Sequence, residues 1–421
     1  MQSSIKLRLT VMNFLQFAVW GAYLTSMGRY LGTAGFGSEI GNFYAMQGLV
    51  SLFMPALMGI VADRWIPAQR LLGVCHMLAG MLMLGVFLYT QTDAPSYPSL
   101  FALYSLSVAF YMPTLALSNS VAYTSLDQAG LDLVKSFPPI RVFGTVGFIC
   151  TMIAVSLLGL EATSGQFAVS AIISLVLAVY AQTLPNCPTA PKGQSKSLVE
   201  ALGLRAFVLF KQRKMALFFI FSMLLGVSLQ ITNGFANPFI STFGEIPAYA
   251  DTFGVKYANI LISLSQLSET LCILLIPFAL RRFGIRRVML IAMVAWVLRF
   301  ALLGLGNPGS GVWLFLLSMI VYGVAFDFFN VSGSLFVDKE TDPSIRSSAQ
   351  GLFMIMTNGI GATLGSLGAQ AVINRFVYSQ SEATAILSGW TTSWYIFAGY
   401  AAVVAVLFAL LFRYNTATEA K

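Results

Sequence analysis

Histidine is nearly absent from this sequence: His76 is the only one among 421 residues. A lone imidazole cannot build an HExxH zinc site, and no Ser/His/Asp arrangement has a second candidate, so most hydrolytic chemistry is excluded. Charged residues are almost as scarce, 10% of the chain against roughly 25% in an ordinary soluble domain. Cys75, Cys150, Cys187 and Cys272 are scattered without paired or metal-like spacing. That removes a disulfide framework or zinc site and leaves them as small, reduced, buried residues. Neither a GxxxxGK loop nor a GxGxxG turn follows a strand-like run, so a nucleotide-binding cradle is missing too. No metal and no cofactor is expected.

What the chain has instead is oil. Hydrophobic residues make up 57% of it, the mean hydropathy is +0.79, and runs such as 71–89, 288–304 and 395–412 approach the ~20 apolar residues that cross a bilayer as helix. Backbone polar groups have no water to bond with inside lipid, so spans of this length imply a bundle of helices. The net charge of +8 does not indicate a nucleic-acid partner, because the basic residues punctuate the apolar runs and form no stripe on a folded domain. The first apolar run follows Lys6 and Arg8 and continues to Leu31 with no small-residue cleavage site, so it reads as a retained span and not a signal peptide.

About twelve spans are expected, near 9–31, 40–62, 71–91, 98–122, 138–160, 166–184, 215–240, 256–280, 287–306, 311–336, 346–374 and 390–412. With both termini in the cytoplasm, the outer loops hold only Arg29, Lys256 and Arg375, and nearly all other Lys and Arg fall inside, as the positive-inside rule requires. The longest interruption, 185–214, begins LPNCPTAPKGQSKS and reads as a cytoplasmic linker. It divides the chain into six-helix bundles at 1–184 and 215–421. AFYMPTLALSNS (109–120) is matched by AFDFFNVSGSLF (325–336), and PPIRVFGTVGF (138–148) by PSIRSSAQGLF (343–353). Related halves are a mark of secondary transporters, whose substrate site lies between them near the bilayer midplane.

Four ionisable residues remain inside spans: Arg141, Glu269, Arg299 and Asp327. Each costs about 2.5–3.5 kcal/mol on insertion scales, so each should face a cavity or a partner. Positions three or four apart share a helix face, which joins Arg141 to Thr145, Gln230 to Asn233 and Gln266 to Glu269. Asp327 is bracketed by Phe326, Phe328 and Phe329. Polar stripes beside aromatic rings suit a ligand with hydrogen-bonding edges and a flat face, with Phe148 or Phe326 packing on the ring. Asp327 is the first candidate for a proton carrier and Glu269 the second. The bland readings are that the two acids form a structural ion pair with Arg141, that the amides are interhelical glue, and that Arg299 snorkels or bridges helices. The glycines of TNGIGATLGSLGA (357–369) are spaced for close helix packing.

Two loops carry a recognisable pattern. GIVADRWIPAQR (59–70) resembles the signature between the second and third helices of the major facilitator superfamily, and ALRRFGIRR (279–287) is a looser counterpart. The resemblance implies that Asp63 and Arg64 hold the cytoplasmic side closed. FLQFAVWG, MPALMGIVAD, FPPIRVFGTVGF, LQITNGFANPF, SQLSET, AWVLRFAL, SMIVYGVAFDFFNVSGSLFV and IRSSAQGLF together resemble the bacterial nucleoside:proton symporter family over nearly the whole chain. This implies an all-α inner-membrane permease of two pseudo-symmetric six-helix bundles, working as a monomer among lipids, which imports nucleosides with protons by alternating access. Arg141, Thr145, Phe148, Gln230, Asn233, Gln266, Glu269, Phe326 and Asp327 would line its site. Met46, Gln47 and Arg29 stand where the family pattern leads one to expect small residues. The same fold serving another polar solute such as an oligosaccharide, an exporter of drugs, and a sensor that binds without transporting are the alternatives.

Overall fold

The computed structural model describes residues 2–189, 204–343 and 345–414, and among them the regular structure is helical, without a strand. Positions 190–203 of the expected linker lie outside the described residues.

The first span is not the continuous helix expected from its hydropathy. It runs as α1 (Gln2–Gly21), turns at 22–26 and resumes as α2 (Met27–Thr33). The second is also in two pieces, α3 (Ile40–Ser51) and α4 (Met54–Arg64), with Pro55 in the opening turn of α4, where a missing N–H costs no intrahelical bond. α5 (Ala68–Tyr89), α6 (Tyr97–Gln128), α7 (Leu133–Leu157) and α8 (Gly165–Ala181) follow, then α9 (Arg213–Thr242), α10 (Ala258–Leu305) and α11 (Val312–Glu340). The last stretch is α12 (Arg346–Met354), a π-helical turn at Ile355–Gly361, α13 (Ala362–Phe376) and α14 (Ala383–Leu411).

Nine segments of the described residues are long and apolar enough to cross a membrane. One of them, α10, has 48 residues, about 72 Å at ~1.5 Å per residue and twice the need of a bilayer. It is two spans. Gly284 adopts φ 74° and ψ 164°, a conformation that residues with a Cβ avoid, and the chain reverses there without the longer loop expected at 279–287. Counting the two legs separately and adding α1 and the 17-residue α8 brings the total to the twelve read from the sequence. An outward stripe on the first leg, Leu271, Leu274, Leu275 and Phe278, is more than half exposed within the chain, as a lipid-facing surface must be.

The helices form two compact units, one within Met1–Tyr30 and Leu49–Leu202, the other within Leu31–Gly48 and Gly203–Lys421. In the first, α1 packs on α7 and α8, and α5 lies between α6 and α8. Its core holds Leu9, Met12, Leu71, Leu72, Val121 and Leu177. His76 is buried there, with Nε2 2.8 Å from Gln16 Oε1 and Nδ1 2.9 Å from Ser174 Oγ, while Gln16 Nε2 donates to Thr114 Oγ1 at 2.7 Å. That is a satisfied core histidine tying α1, α5, α6 and α8 together. Cys75 and Cys187 are buried as expected, whereas Cys150 is exposed on α7, where a small residue facing outward needs no packing partner.

In the second unit, α10 packs along α11 and α14, and α9 lies against the π turn, α13 and α14. Two of the 357–369 glycines pack closely, since a Cβ on Gly361 would come 2.4 Å from Met223 O and one on Gly365 2.3 Å from Val227 O, whereas Gly368 faces open space. The segment 31–48 also belongs to this unit. Gln370 on α13 accepts the Gly41 N–H and donates to Gly37 O at 3.0 Å and Asn374 Oδ1 at 2.7 Å.

Candidate functional site

The expected site residues divide between the two units, and each set is organised by a close helix approach. In the first unit α1 and α7 nearly touch at Gly147, where a Cβ would stand 2.1 Å from Phe14 O. This approach lays the neighbouring side chains of α7 onto α1. The Arg141 guanidinium lies 4.0 Å from the Phe17 ring centroid, a cation–π contact. Phe148 meets Trp20 edge to face, centroids 6.4 Å apart, and Trp20 continues to Tyr111 at 6.0 Å. Thr145 lies one turn from Arg141 on α7 and is half-buried.

In the second unit the close approach is at Gly323, where a Cβ would meet Ser268 O at 2.5 Å. Because Gly323 precedes Asp327 by one turn and Ser268 adjoins Glu269, the missing side chain brings the two acids to the same region. The charge of Glu269 acts directly on Asp327. Asp327 is only 5% exposed, and its Oδ2 has no hydrogen-bond partner among the described residues. Such an orphan is costly in a folded protein unless function uses it. Glu269 and Gln266 are half-buried on α10, and Gln266 hydrogen-bonds the Tyr322 hydroxyl. Tyr322 and Phe326, one turn apart on α11, stack with centroids 5.7 Å apart and planes 4° from parallel. On α9, Asn233 Nδ2 donates to Gln230 Oε1 at 2.8 Å. That bond orients the pair and directs the Gln230 N–H groups and the Asn233 carbonyl oxygen to other partners.

The structure thus brings together Glu269 with Asp327, and Gln230 with Asn233, and it gives Arg141 and Phe148 aromatic supports. It also shows functional neighbours that the sequence reading passed over: Phe17, Trp20 and Tyr322. Tyr322 could have been found, since it sits one turn before Phe326 in the same quoted stretch. Arg299 does not snorkel. It is 2% exposed and bridges helices, donating through Nη1 to Ser318 O at 2.8 Å. Arg29 pairs with Glu161 at 3.2 Å, and Glu161 also accepts the Ser156 hydroxyl. Gln47 is buried at 1% exposure. Asp63 and Arg64 occupy the last turn of α4, where the arginine suits the negative end of the helix dipole. Chemically, the second unit offers a pair of acids able to hold a proton, next to amides and a stacked aromatic face.

The profile of a family described as the nucleoside H+ symporters matches residues 3–417. The xanthosine permease of Escherichia coli (strain K12) is 49% identical over 415 residues, covering 98% of this chain and 97% of that protein. The nucleoside permease NupG of the same strain is 47% identical over 415 residues, with the same shares. A crystal structure of the nucleoside transporter NupG superposes with a TM-score of 0.89 at 45% identity, covering 98% of this chain and 100% of that one.

Proposed function

This chain belongs to the nucleoside H+ symporter family, and from that premise we propose that it imports nucleosides into a bacterial cell together with protons. It is a multi-pass membrane transporter of the major facilitator fold and not an enzyme. The observation that carries the coupling is Asp327: a buried carboxyl with one oxygen unbonded among the described residues and a second acid, Glu269, acting on it. Two carboxylates in a common low-dielectric space repel when both are ionised, and one proton relieves that repulsion. Gln230, Asn233, Gln266 and Glu269 supply hydrogen bonds for ribose hydroxyls and base edges. Phe326, backed by Tyr322, offers a flat face for the base. Arg141, Thr145 and Phe148 contribute the same kinds of contact from the first unit.

In this reading the halves 1–184 and 215–421, joined by 185–214, rock about the bound nucleoside and expose it to each side in turn. Asp63 and Arg64 close the cytoplasmic side. The protein works as a monomer in the inner membrane, surrounded by lipid, with both termini in the cytoplasm. The test is uptake of a panel of labelled nucleosides and sugars by transport-deficient cells, with and without a protonophore. Nucleoside uptake that collapses with the protonophore is expected; uptake of sugars alone, or nucleoside accumulation indifferent to it, overturns the reading.

A further inference from the structure

Arg299 is a buried charge that the transport reading leaves unused. It lies on the second leg of α10, 2% exposed, and it makes no ion pair among the described residues. Arginine keeps its proton in proteins, so this is a full positive charge inside the second unit. Its head is held through one nitrogen, Nη1, while Nε has no hydrogen-bond partner among the described residues. Nη1 donates to Ser318 O at 2.8 Å and to Ser265 Oγ at 3.4 Å, while the Ser318 hydroxyl donates back to Arg299 O at 2.9 Å. The guanidinium lies over the Tyr322 ring, 4.5 Å from its centroid.

Tyr322 is where this charge meets the acids. Its hydroxyl bonds Gln266, its ring stacks on Phe326, the neighbour of Asp327, and Ser265, which Arg299 reaches, lies one turn before Glu269 on α10. Helices α9 and α14, which also pack on α10, carry no Asp, Glu, Lys or Arg over 215–242 and 383–411. On the facing parts of α10 and α11 the remaining titratable groups are Cys272 and Tyr322. The arginines at the Gly284 elbow and the charges at the end of α11 lie at least a dozen residues from Arg299 or 11 from Asp327, roughly 16 Å or more along a helix.

We propose that Arg299 is the internal counter-charge of the Glu269–Asp327 pair, a positioning residue that acts through Tyr322. Within the second unit, leaving aside Arg141 over the Phe17 ring of the first, the buried cluster of two carboxylates and one guanidinium then carries one net negative charge, and a single bound proton neutralises it. Neutrality is the condition under which the cluster moves through the membrane field at least cost. One proton therefore accompanies each nucleoside.

The inference rests on the proton-coupled reading above, and the experiment separates the two. Purified wild type, Arg299→Gln and Arg299→Lys are reconstituted in proteoliposomes, and nucleoside uptake is followed against pH beside counterflow, which needs no proton gradient. Arg299→Gln should move the pH of half-maximal uptake to the alkaline side, because removing a positive charge disfavours the ionised acids. Arg299→Lys keeps the charge and should restore the wild-type profile. A folded Arg299→Gln protein that retains counterflow and an unshifted profile overturns the assignment. If that variant does not fold, the wild type decides alone. The nucleoside gradient that just balances a known proton-motive force should correspond to one proton per nucleoside, and two protons would refute the charge balance. Wild-type uptake indifferent to both pH and protonophore refutes the proton-coupled reading itself, a result distinct from either of these.

Discussion

Replacing Asp327 by asparagine removes a proton site while preserving the side chain's shape. Oδ2 has no hydrogen bond to lose among the described residues, and the change relieves Glu269 of a neighbouring charge. The helix contacts at Gly323 and the Tyr322–Phe326 stack involve other side chains and should survive. What disappears is the coupling. A proton moving inward gains about 2.3 kcal/mol per 100 mV, so at about 120 mV one proton supplies about 2.8 kcal/mol, or about 100-fold accumulation at ~1.4 kcal/mol per factor of ten. With one proton per cycle, the wild type should approach an inside-to-outside nucleoside ratio of about 100, and Asp327→Asn should settle near 1. Counterflow in proteoliposomes should persist in the variant, because exchange of nucleoside for nucleoside needs no net proton movement. An Asp327→Asn protein that still concentrates nucleoside in response to a proton gradient refutes Asp327 as the carrier, and the same measurement on Glu269→Gln would then show whether the proton resides there.

Three other outcomes follow from the packing. Gln370→Ala strands the Gly41 N–H and removes the bonds to Gly37 O and Asn374, a loss of about 1–3 kcal/mol for a buried unsatisfied donor; hydrogen exchange at Gly41 should quicken by one to two orders of magnitude. Gly147→Val forces a side chain against Phe14 O, which a Cβ would approach to 2.1 Å, so thermal unfolding should report destabilisation by about 1–3 kcal/mol and uptake should fall because Arg141 and Phe148 ride on the same helix. Outside the membrane, Lys256 lies 2.8 Å from Asp251 and holds that carboxyl below its usual range through a hydrogen bond and direct attraction. Its folded value being depressed, the pair's contribution exists above the unfolded carboxylate value and is lost as pH falls through the folded one. Both groups are exposed and screened by salt, so Asp251→Asn should melt with the wild type at neutral pH in physiological salt; a clear drop in Tm would show a buried role that the geometry lacks.

Much of this architecture is legible in the residues because the bilayer imposes it. Length and hydropathy locate the spans, and the cost of a charge in lipid singles out Arg141, Glu269, Arg299 and Asp327 without any structure. What hydropathy cannot convey is direction. In a soluble helix the polar face marks the outside, but lipid tails and helix neighbours are equally apolar, and the stripe that would distinguish them is missing. The supports of the site were therefore only partly visible: nothing in an apolar run marks Phe17 as the ring under Arg141, and Tyr322, though it stands one turn before Phe326, carries no sign of the guanidinium over it. The same blindness hides the breaks. Residues 22–26 and Leu52–Phe53 interrupt helices inside apolar runs, and segment 31–48 joins the second unit through Gln370, Asn374 and Thr363. Where a polar atom fixes the geometry the ambiguity ends. Arg299 at mid-span is compatible with snorkelling or bridging by composition alone, and the Ser318 carbonyl at 2.8 Å decides for bridging. In such proteins the informative residues are those that would be cheaper as leucine, and the structure's contribution is to show which partner each of them has found.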